Sequence, residues 1–242
     1  MSLAPRTRWG ARAVERYTEA YAEQYRAHDE SLRAGQTAAR LGEWLHGVCR
    51  AFSEPIDALD LGCGTGRYFH ALGNVRRLVA IDASRPMLDR ARQPVGHVAL
   101  RPEQVTLIED DFLSHEFQSE EFDLVYSIGV LGEHSPFDEA IADRVRRWLK
   151  PGGRFAFTTV HPMSFSVPRT LKRRAGEWLR PLAAAAPGGL RRALRNRLMS
   201  EGLYADDERV REVLAAAGFG VESLAPFESD VHLHMLAVGL KR

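Results

Sequence analysis

The sequence predicts an α/β domain in which a mostly parallel sheet is covered by helices on both faces. Three observations carry that expectation. Short apolar runs near residues 57–61, 78–82, 105–109, 122–127 and 154–160 alternate with segments of helical pattern. Strands joined through helices need crossover connections, which makes them parallel and buries both sheet faces. The first run leads straight into Gly62-Cys63-Gly64-Thr65-Gly66, and the second stops at the carboxylate of Asp82. Glycines at every second position let a backbone turn sharply and approach a ligand, because no Cβ intervenes.

Composition sets the outer bounds. At 242 residues the chain is one large domain, or a domain with a small annex, and can bury a substantial core. Its 45% hydrophobic and 27% charged content is that of an ordinary soluble globular protein. A formal charge of +1 gives no global pull toward nucleic acid or membrane, so electrostatic partners must be sought in local patches. With Cys49 and Cys63 alone, neither a disulfide scaffold nor a zinc site is expected, and a reducing cytoplasm follows. Residues 1–10 are polar and basic, unlike a secretory signal, and no run approaches the roughly 18 apolar residues of a membrane-spanning helix.

Taken in order, residues 11–52 read as helix. The segment 12–25 is rich in helix formers, and Tyr17, Tyr21 and Tyr25 recur at i, i+4 and i+8 on one face. That stripe either packs the annex on the domain or forms a flap over an active site, with a tyrosine touching ligand. A second helix covers 34–50, with Leu41, Trp44, Leu45 and Val48 on one side.

Asp57–Leu61 is the first strand, 65–73 a helix, and Leu78–Asp82 the second strand. Ser84 or Asp82 caps a helix over Pro86–Arg92, where proline suits the first turn. The stretch 93–104 is a loop, Val105–Glu109 the third strand and Phe122–Ser127 the fourth. A helix over 138–149 buries Ile141, Val145 and Trp148, Lys150–Gly153 is a turn, and Arg154–Val160 is the fifth strand.

After His161 the alternation stops. Residues 162–204 carry nine arginines or lysines against Glu177 and Glu201, with Leu190, Leu194 and Leu198 marking an amphipathic helix at 190–199. The helix Ala205–Ala217 is closed by Gly218 as its cap, and two strands follow near 221–226 and 232–240.

Two cofactor classes suit a strand, a glycine loop and a carboxylate at the second strand's end. A dinucleotide loop wants a third glycine or alanine where this chain has Arg67, which weakens a pyrophosphate reading. Asp82 does not discriminate, because both classes use a carboxylate there to accept from ribose hydroxyls. The remaining motifs do discriminate. Leu59–Gly66, Ile81-Asp82 with Ser84 and Met87-Leu88, Asp110-Asp111-Phe112, Phe122–Ser127, Leu149–Gly153 and Ala217-Gly218-Phe219 follow one another in that order. This set resembles the class I S-adenosylmethionine-dependent methyltransferases of the small-molecule type, over about residues 40–160 and 205–242.

The resemblance implies a Rossmann-like, doubly wound, seven-stranded and mostly parallel sheet with helices on both faces. An N-terminal helical flap (1–52) would precede the methyltransferase domain (53–242), with residues 162–204 as a basic helical insertion after strand five. It further implies roles residue by residue. Asp60 would hold the ammonium of the methionine moiety, and Gly62, Gly64 and Gly66 would let the backbone approach the ligand. Asp82 would accept from the ribose hydroxyls, with Ala83 or Met87 lining the adenine. Asp111, or its neighbour Asp110, would accept from the adenine amino group beside the Phe112 N–H. Ser127 and Ile128 would wall the methionine tail.

The acceptor is less constrained. His134 and His161 follow strands four and five, at the strand ends where ligands bind. A histidine suits proton removal from a hydroxyl, thiol or ring nitrogen, and Glu133 could pair with either histidine or face a cationic substrate. Tyr17, Tyr21 and Tyr25 are candidate substrate contacts. His232 and His234 share a strand face, but no third ligand marks a metal site.

The insertion 162–204 has four readings: a solvated lid, an arginine site for an acidic substrate, a basic amphipathic helix on an anionic membrane, or a nucleic-acid patch. Too few interleaved aromatics argue against the last. The expected function is methyl transfer from S-adenosylmethionine to oxygen or nitrogen of a small-molecule acceptor, an acidic one included, by a cytoplasmic protein. The rivals are a lipid, quinone or isoprenoid acceptor at the membrane, a nicotinamide-dependent oxidoreductase, and a non-catalytic S-adenosylmethionine-binding module.

Overall fold

The computed structural model describes residues 6–32, 36–96, 98, 100, 104–162, 164, 203–229 and 232–241. Nearly all of the basic insertion, including the expected helix at 190–199, lies outside the described residues.

Seven strands form one sheet: β1 (Ile56–Leu61), β2 (Val75–Asp82), β3 (Val105–Glu109), β4 (Phe122–Ser127), β5 (Leu149–Val160), β6 (Phe219–Glu228) and β7 (Leu233–Lys241). Their order is β3-β2-β1-β4-β5-β7-β6. The first five pair in parallel, and β7 runs antiparallel to both β5 and β6. Side chains alternate across the sheet as strand geometry requires. Leu59, Leu61, Val79, Ile81, Val125, Phe155 and Phe157 enter one core, covered by α5 (Glu139–Trp148) and α6 (Asp207–Ala216). Ala58, Leu78, Ala80, Leu124, Tyr126 and Ala156 enter the other, covered by α3 (Gln36–Arg50) and α4 (Arg85–Ala91).

The helix starts obey local capping chemistry. Ser84 caps α4, accepting from the Met87 N–H at 3.4 Å, while Asp138 and Asp206 cap α5 and α6 through their first-turn N–H groups. Gly218 closes α6 at φ 76°, a conformation that favours glycine.

Three expectations are corrected. The run 11–25 is two helices, α1 (Arg8–Arg16) and α2 (Glu19–Leu32), because Tyr17 leaves helical geometry with ψ 64°. Its carbonyl accepts instead from Ser84 Oγ at 2.7 Å, and Thr18 Oγ1 accepts from the Tyr21 N–H. The expected helix at 65–73 is a series of turns with one 3-10 turn at Phe69–Ala71. Gly66 sits at φ 73°, and the N–H groups of Gly66, Phe69 and Ala71 each bond three residues back, so no four-residue ladder starts. The turn at 150–153 is an irregularity inside β5: Leu149 pairs with Phe122, and Arg154 already with Leu124.

The N-terminal helices serve two purposes. Leu45, Val48 and Cys49 of α3 belong to the core of the sheet, whereas α1 and α2 contribute to a cavity at the carboxyl ends of the strands.

Candidate active site

A cavity of about 480 Å³ lies where β1, β2 and β4 end, bounded by α1, α2, the glycine loop and the loop after β4. The glycine loop supplies its floor. Gly62 and Gly64 stand at φ 76° and 54°, and a Cβ on Gly62 would lie 2.7 Å from Val130. Both glycines line the cavity. Gly66 packs on the Phe69 ring and is not among the lining residues.

Three carboxylates stand along the strand ends. Asp82 Oδ2 accepts from the Gly64 N–H and Oδ1 from the Ser84 N–H, each at 2.9 Å, which ties the glycine loop to the start of α4. Burial raises its pKa, and those two N–H groups oppose the rise. Asp60 is 5% exposed, and burial pushes its carboxyl up to about 8. The neighbouring Tyr126 hydroxyl favours the ionised form, and the Asp82 charge disfavours it.

Asp111 lines the cavity and Asp110 does not. Asp110 is occupied by the Asp111 N–H and by His115 Nδ1, both at 2.8 Å. Asp111 Oδ2 accepts from the N–H and hydroxyl of Thr7, the residue that caps α1, and Oδ1 accepts from the Leu113 N–H. Gly10 is close-packed against this carboxylate, with no room for a Cβ.

Ala83, Met87, Phe112 and Ile128 complete this end of the cavity. Ser127 does not face it: its hydroxyl donates to the Leu61 carbonyl at 2.9 Å, bracing β4 against the strand that feeds the glycine loop.

The flap is fastened to the same loop. Asp29 of α2 is buried and accepts from Thr65 Oγ1 and, at 2.5 Å, from Arg67 Nε. The Arg67 guanidinium also lies 4.6 Å from the centre of the Tyr25 ring. Tyr17 meets Tyr21 edge-on at 5.1 Å, and Tyr21 stacks on Tyr25 at 5.9 Å. All three rings line the cavity although they belong to two helical segments.

Opposite the carboxylates lies the loop after β4. The Val130 carbonyl accepts from the N–H groups of Glu133, His134 and Ser135, and Gly129 and Gly132 take φ 74° and 69° to close this turn. Glu133 and His134 consequently face the cavity side by side, with Glu133 Oε1 3.4 Å from His134 Nε2. Burial pushes Glu133 up to about 7, opposed by Arg16. Burial, then the charges of Arg16 and His232, pushes His134 down to about 4, so its imidazole is neutral at pH 7.

His161 is not among the lining residues; its N–H bonds the Leu233 carbonyl where β7 begins. His232 and His234 do line the cavity, with perpendicular rings 5.7 Å apart. His232 Nδ1 contacts Ser164 Oγ, and His234 Nε2 contacts Ser229 Oγ. No cluster of three or more metal-ligating side chains occurs among the described residues.

Several residues at the site carried no expectation from the sequence. Thr7, Arg16, Asp29 and Tyr126 act across 36 or more positions of sequence, and Arg67 had been read only as a departure from a glycine pattern. A capping threonine before 8–16 was the single local signal available.

Comparison with known proteins agrees with this geometry. A family model described as a methyltransferase domain matches residues 58–153, the segment from β1 into β5. The biotin biosynthesis bifunctional protein BioHC of Teredinibacter turnerae is 33% identical over 129 residues, covering 50% of this chain and 22% of that protein. The cypemycin N-terminal methyltransferase of a Streptomyces species is 35% identical over 118 residues, covering 46% of each. The matches thus span less than half the length of these curated relatives. In structure, the magnesium protoporphyrin IX methyltransferase of Synechocystis PCC 6803 with bound SAH superposes with a TM-score of 0.63 at 15% identity, covering 97% of this chain and all of that one. The match falls on the strands and loops that build the cavity, and residues 58–153 resemble a methyltransferase domain.

Proposed function

We propose that the chain transfers a methyl group from S-adenosylmethionine to oxygen or nitrogen of a small-molecule acceptor. One observation carries the reading: the strand-end carboxylates and the Glu133–His134 pair face a single cavity. The residues fit the cofactor. After accepting one N–H on each oxygen, Asp82 retains lone pairs for two ribose hydroxyls. Asp111 retains one on Oδ1 for an adenine amino group, with Phe112 beside it. Gly62 and Gly64 permit close backbone approach, Ala83 and Met87 flank the adenine, and Asp60 suits an ammonium. Ser127 would act through the Leu61 carbonyl, and Gly66 through the shape of the loop.

When bound, S-adenosylmethionine supplies an electrophilic methyl group on a positively charged sulfur. The chain's task is to orient the acceptor and, where the acceptor is protonated, to take its proton. Glu133 is poised near neutrality for that, while neutral His134 can accept a hydrogen bond and fix the acceptor's lone pair toward the methyl group. Tyr17, Tyr21 and Tyr25 form the wall from the flap side, and Arg16 offers a charge to an acidic acceptor. His161 takes no part in the proton step.

Incubating the purified protein with methyl-labelled S-adenosylmethionine and a panel of hydroxyl and amine acceptors should transfer label, with Glu133→Gln slowing it. Cofactor binding without turnover on any acceptor would favour a non-catalytic module.

A second reading places a lipid, quinone or isoprenoid acceptor at an anionic membrane. It rests on the nine basic residues in 162–204 and on similarity to the sterol 24-C-methyltransferase of Debaryomyces hansenii, 28% identical over 105 residues, 43% of this chain and 27% of that one. No helix among the described residues is long and apolar enough to cross a membrane. Salt-sensitive sedimentation with anionic vesicles, abolished by deleting 169–199, would favour it. Equal behaviour with neutral vesicles would remove it.

A further inference from the structure

We infer that the acceptor is a flat aromatic ring bearing a hydroxyl group, which stacks on the tyrosines of the flap and is methylated at its oxygen. The inference deepens the proposed reading and rests on it. Tyr17, Tyr21 and Tyr25 line the cavity as one run of rings, with Tyr21 between an edge-on Tyr17 at 5.1 Å and a stacked Tyr25 at 5.9 Å. Tyr17 also meets the His134 ring edge-on at 6.1 Å. The run therefore crosses from the flap to the loop after β4 and ends beside the Glu133–His134 pair. His232 and His234 line the same cavity, with perpendicular rings. Planar side chains from several elements around one cavity favour a planar guest, because aromatic pairs attract beyond the area they bury.

Charge decides between the guests that such walls hold. Aromatic faces also bind ammonium groups. Here guanidinium groups already attend both ends of the run: Arg67 lies 4.6 Å from the centre of the Tyr25 ring, and Arg16 lies 5.7 Å from that of Tyr17. A further cation would meet like charge at either end. Arg16 Nη1 also stands 3.5 Å from His134 Nδ1, and no carboxylate pairs with Arg16 among the described residues. The rings themselves carry little charge at pH 7. Burial pushes the Tyr25 hydroxyl up to about 12, and burial with the His232 charge pushes His234 down to about 4. Neutral imidazoles and phenols can both donate to and accept from a hydroxyl. An uncharged ring whose oxygen gains negative charge as it reacts suits this surface, and an ammonium does not.

Glu133 and Arg16 supply what such an acceptor needs. The hydroxyl proton passes to a Glu133 carboxylate oxygen, and the electron pair it leaves forms the bond from the acceptor oxygen to the methyl carbon. The carbon–sulfur bond breaks with its pair retained on sulfur. Glu133, at about 7, is ionised in a large fraction of molecules at neutral pH, because the Arg16 charge opposes the effect of burial. The same charge favours the acceptor oxygen as it becomes negative. An aromatic hydroxyl is within reach of this base: its pKa resembles that of tyrosine, about 10, whereas an aliphatic alcohol is far less acidic.

Calorimetry with S-adenosylhomocysteine present tests this with three probes of similar size: 2-naphthol, its saturated analogue decahydro-2-naphthol, and 2-naphthylmethylamine. The parent protein should bind 2-naphthol about fivefold more tightly than the saturated alcohol and about tenfold more tightly than the amine. Tyr21→Leu should erase the first ratio and Tyr21→Phe should keep it, whereas Arg16→Gln should shrink the second ratio alone. With methyl-labelled S-adenosylmethionine, label should pass to the oxygen of 2-naphthol. No binding of 2-naphthol, or equal or tighter binding of either other probe, would overturn the inference, and the parent protein alone decides this even where a variant fails to fold. Transfer of label only to amines or saturated alcohols would also overturn it, and would leave methyl transfer standing. Binding of S-adenosylhomocysteine with no transfer to any acceptor would instead remove the proposed function, and failure to bind it would sink the cofactor reading.

Discussion

The two ends of the cavity are built differently. At the end proposed for the cofactor, Asp60 and Asp82 sit on neighbouring parallel strands, and backbone N–H groups of the glycine loop and α4 fix the Asp82 carboxylate. At the end proposed for the acceptor, Glu133 and His134 hang from a turn held mainly by the Val130 carbonyl, facing helices that are attached to the sheet by side chains. The sheet determines the first arrangement almost completely. The second depends on long-range clasps, of which Asp29 with Thr65 and Arg67 is the most buried. A shared fold can therefore keep one donor while its acceptor end varies, since changes in the flap leave the strand ends in place.

Breaking the clasp should have the largest effect. Asp29→Ala leaves the Arg67 charge beneath the flap without its carboxylate, which should cost about 3 kcal/mol of stability, measured by urea denaturation. A loss below about 1 kcal/mol would mean that the flap is held by packing instead.

Asp82→Ala should come next, weakening S-adenosylhomocysteine binding by about 1–3 kcal/mol in calorimetry. Unchanged affinity would move the ribose contact elsewhere. Its effect on acceptor KM should be small, because the acceptor end rests on other elements.

Glu133 gives a pH signature. Its folded pKa is raised to about 7, so the folded state holds a proton that the unfolded chain releases near the ordinary glutamate value. The Glu133 contribution therefore weakens stability as pH rises from about 4.5 to 7. Glu133→Gln should remove that falling contribution and leave the opposite slope of His134 uncancelled. His134, lowered to about 4, has the opposite sign: its contribution gains stability between about 4 and 6.5, so the two slopes partly cancel in the parent. In catalysis, kcat/KM should rise through pH 7 as Glu133 ionises, and the variant should lose that limb. A limb retained in Glu133→Gln would assign the proton step to another group.

The smallest effect belongs to His161→Ala. Because that residue lies off the cavity, kcat should change less than about twofold. A larger loss of kcat with unaltered stability would return it to the site.

The contrast between the ends also explains what could be read from the sequence. Asp60, Gly62, Gly64, Asp82 and Asp111 each end or closely follow an apolar strand run, so period and position already place them at one sheet edge. Asp29 cannot be read that way, because its partners are 36 and 38 residues away and no local pattern marks it. The break at Tyr17–Thr18 was hidden for a similar reason. Residues 12–25 all tolerate helix, and the Ser84 hydroxyl that claims the Tyr17 carbonyl is 67 positions distant. The glycine loop misled in the opposite sense. A helix was expected after it because such loops open helices, but the positive φ of Gly66 gives turns instead. His134 and His161 were both candidates as strand-end histidines. Only the turn after β4 and the β5–β7 pairing separate them, and both are tertiary.

Titration with S-adenosylhomocysteine by calorimetry tests the central claim most directly, with NADH as the control for a dinucleotide site. One S-adenosylhomocysteine should bind per chain, and it should release a proton at pH 7, since Asp60, raised to about 8 by burial, must ionise to receive an ammonium. NADH should not bind. Absence of S-adenosylhomocysteine binding, or binding of NADH in its place, would contradict the account.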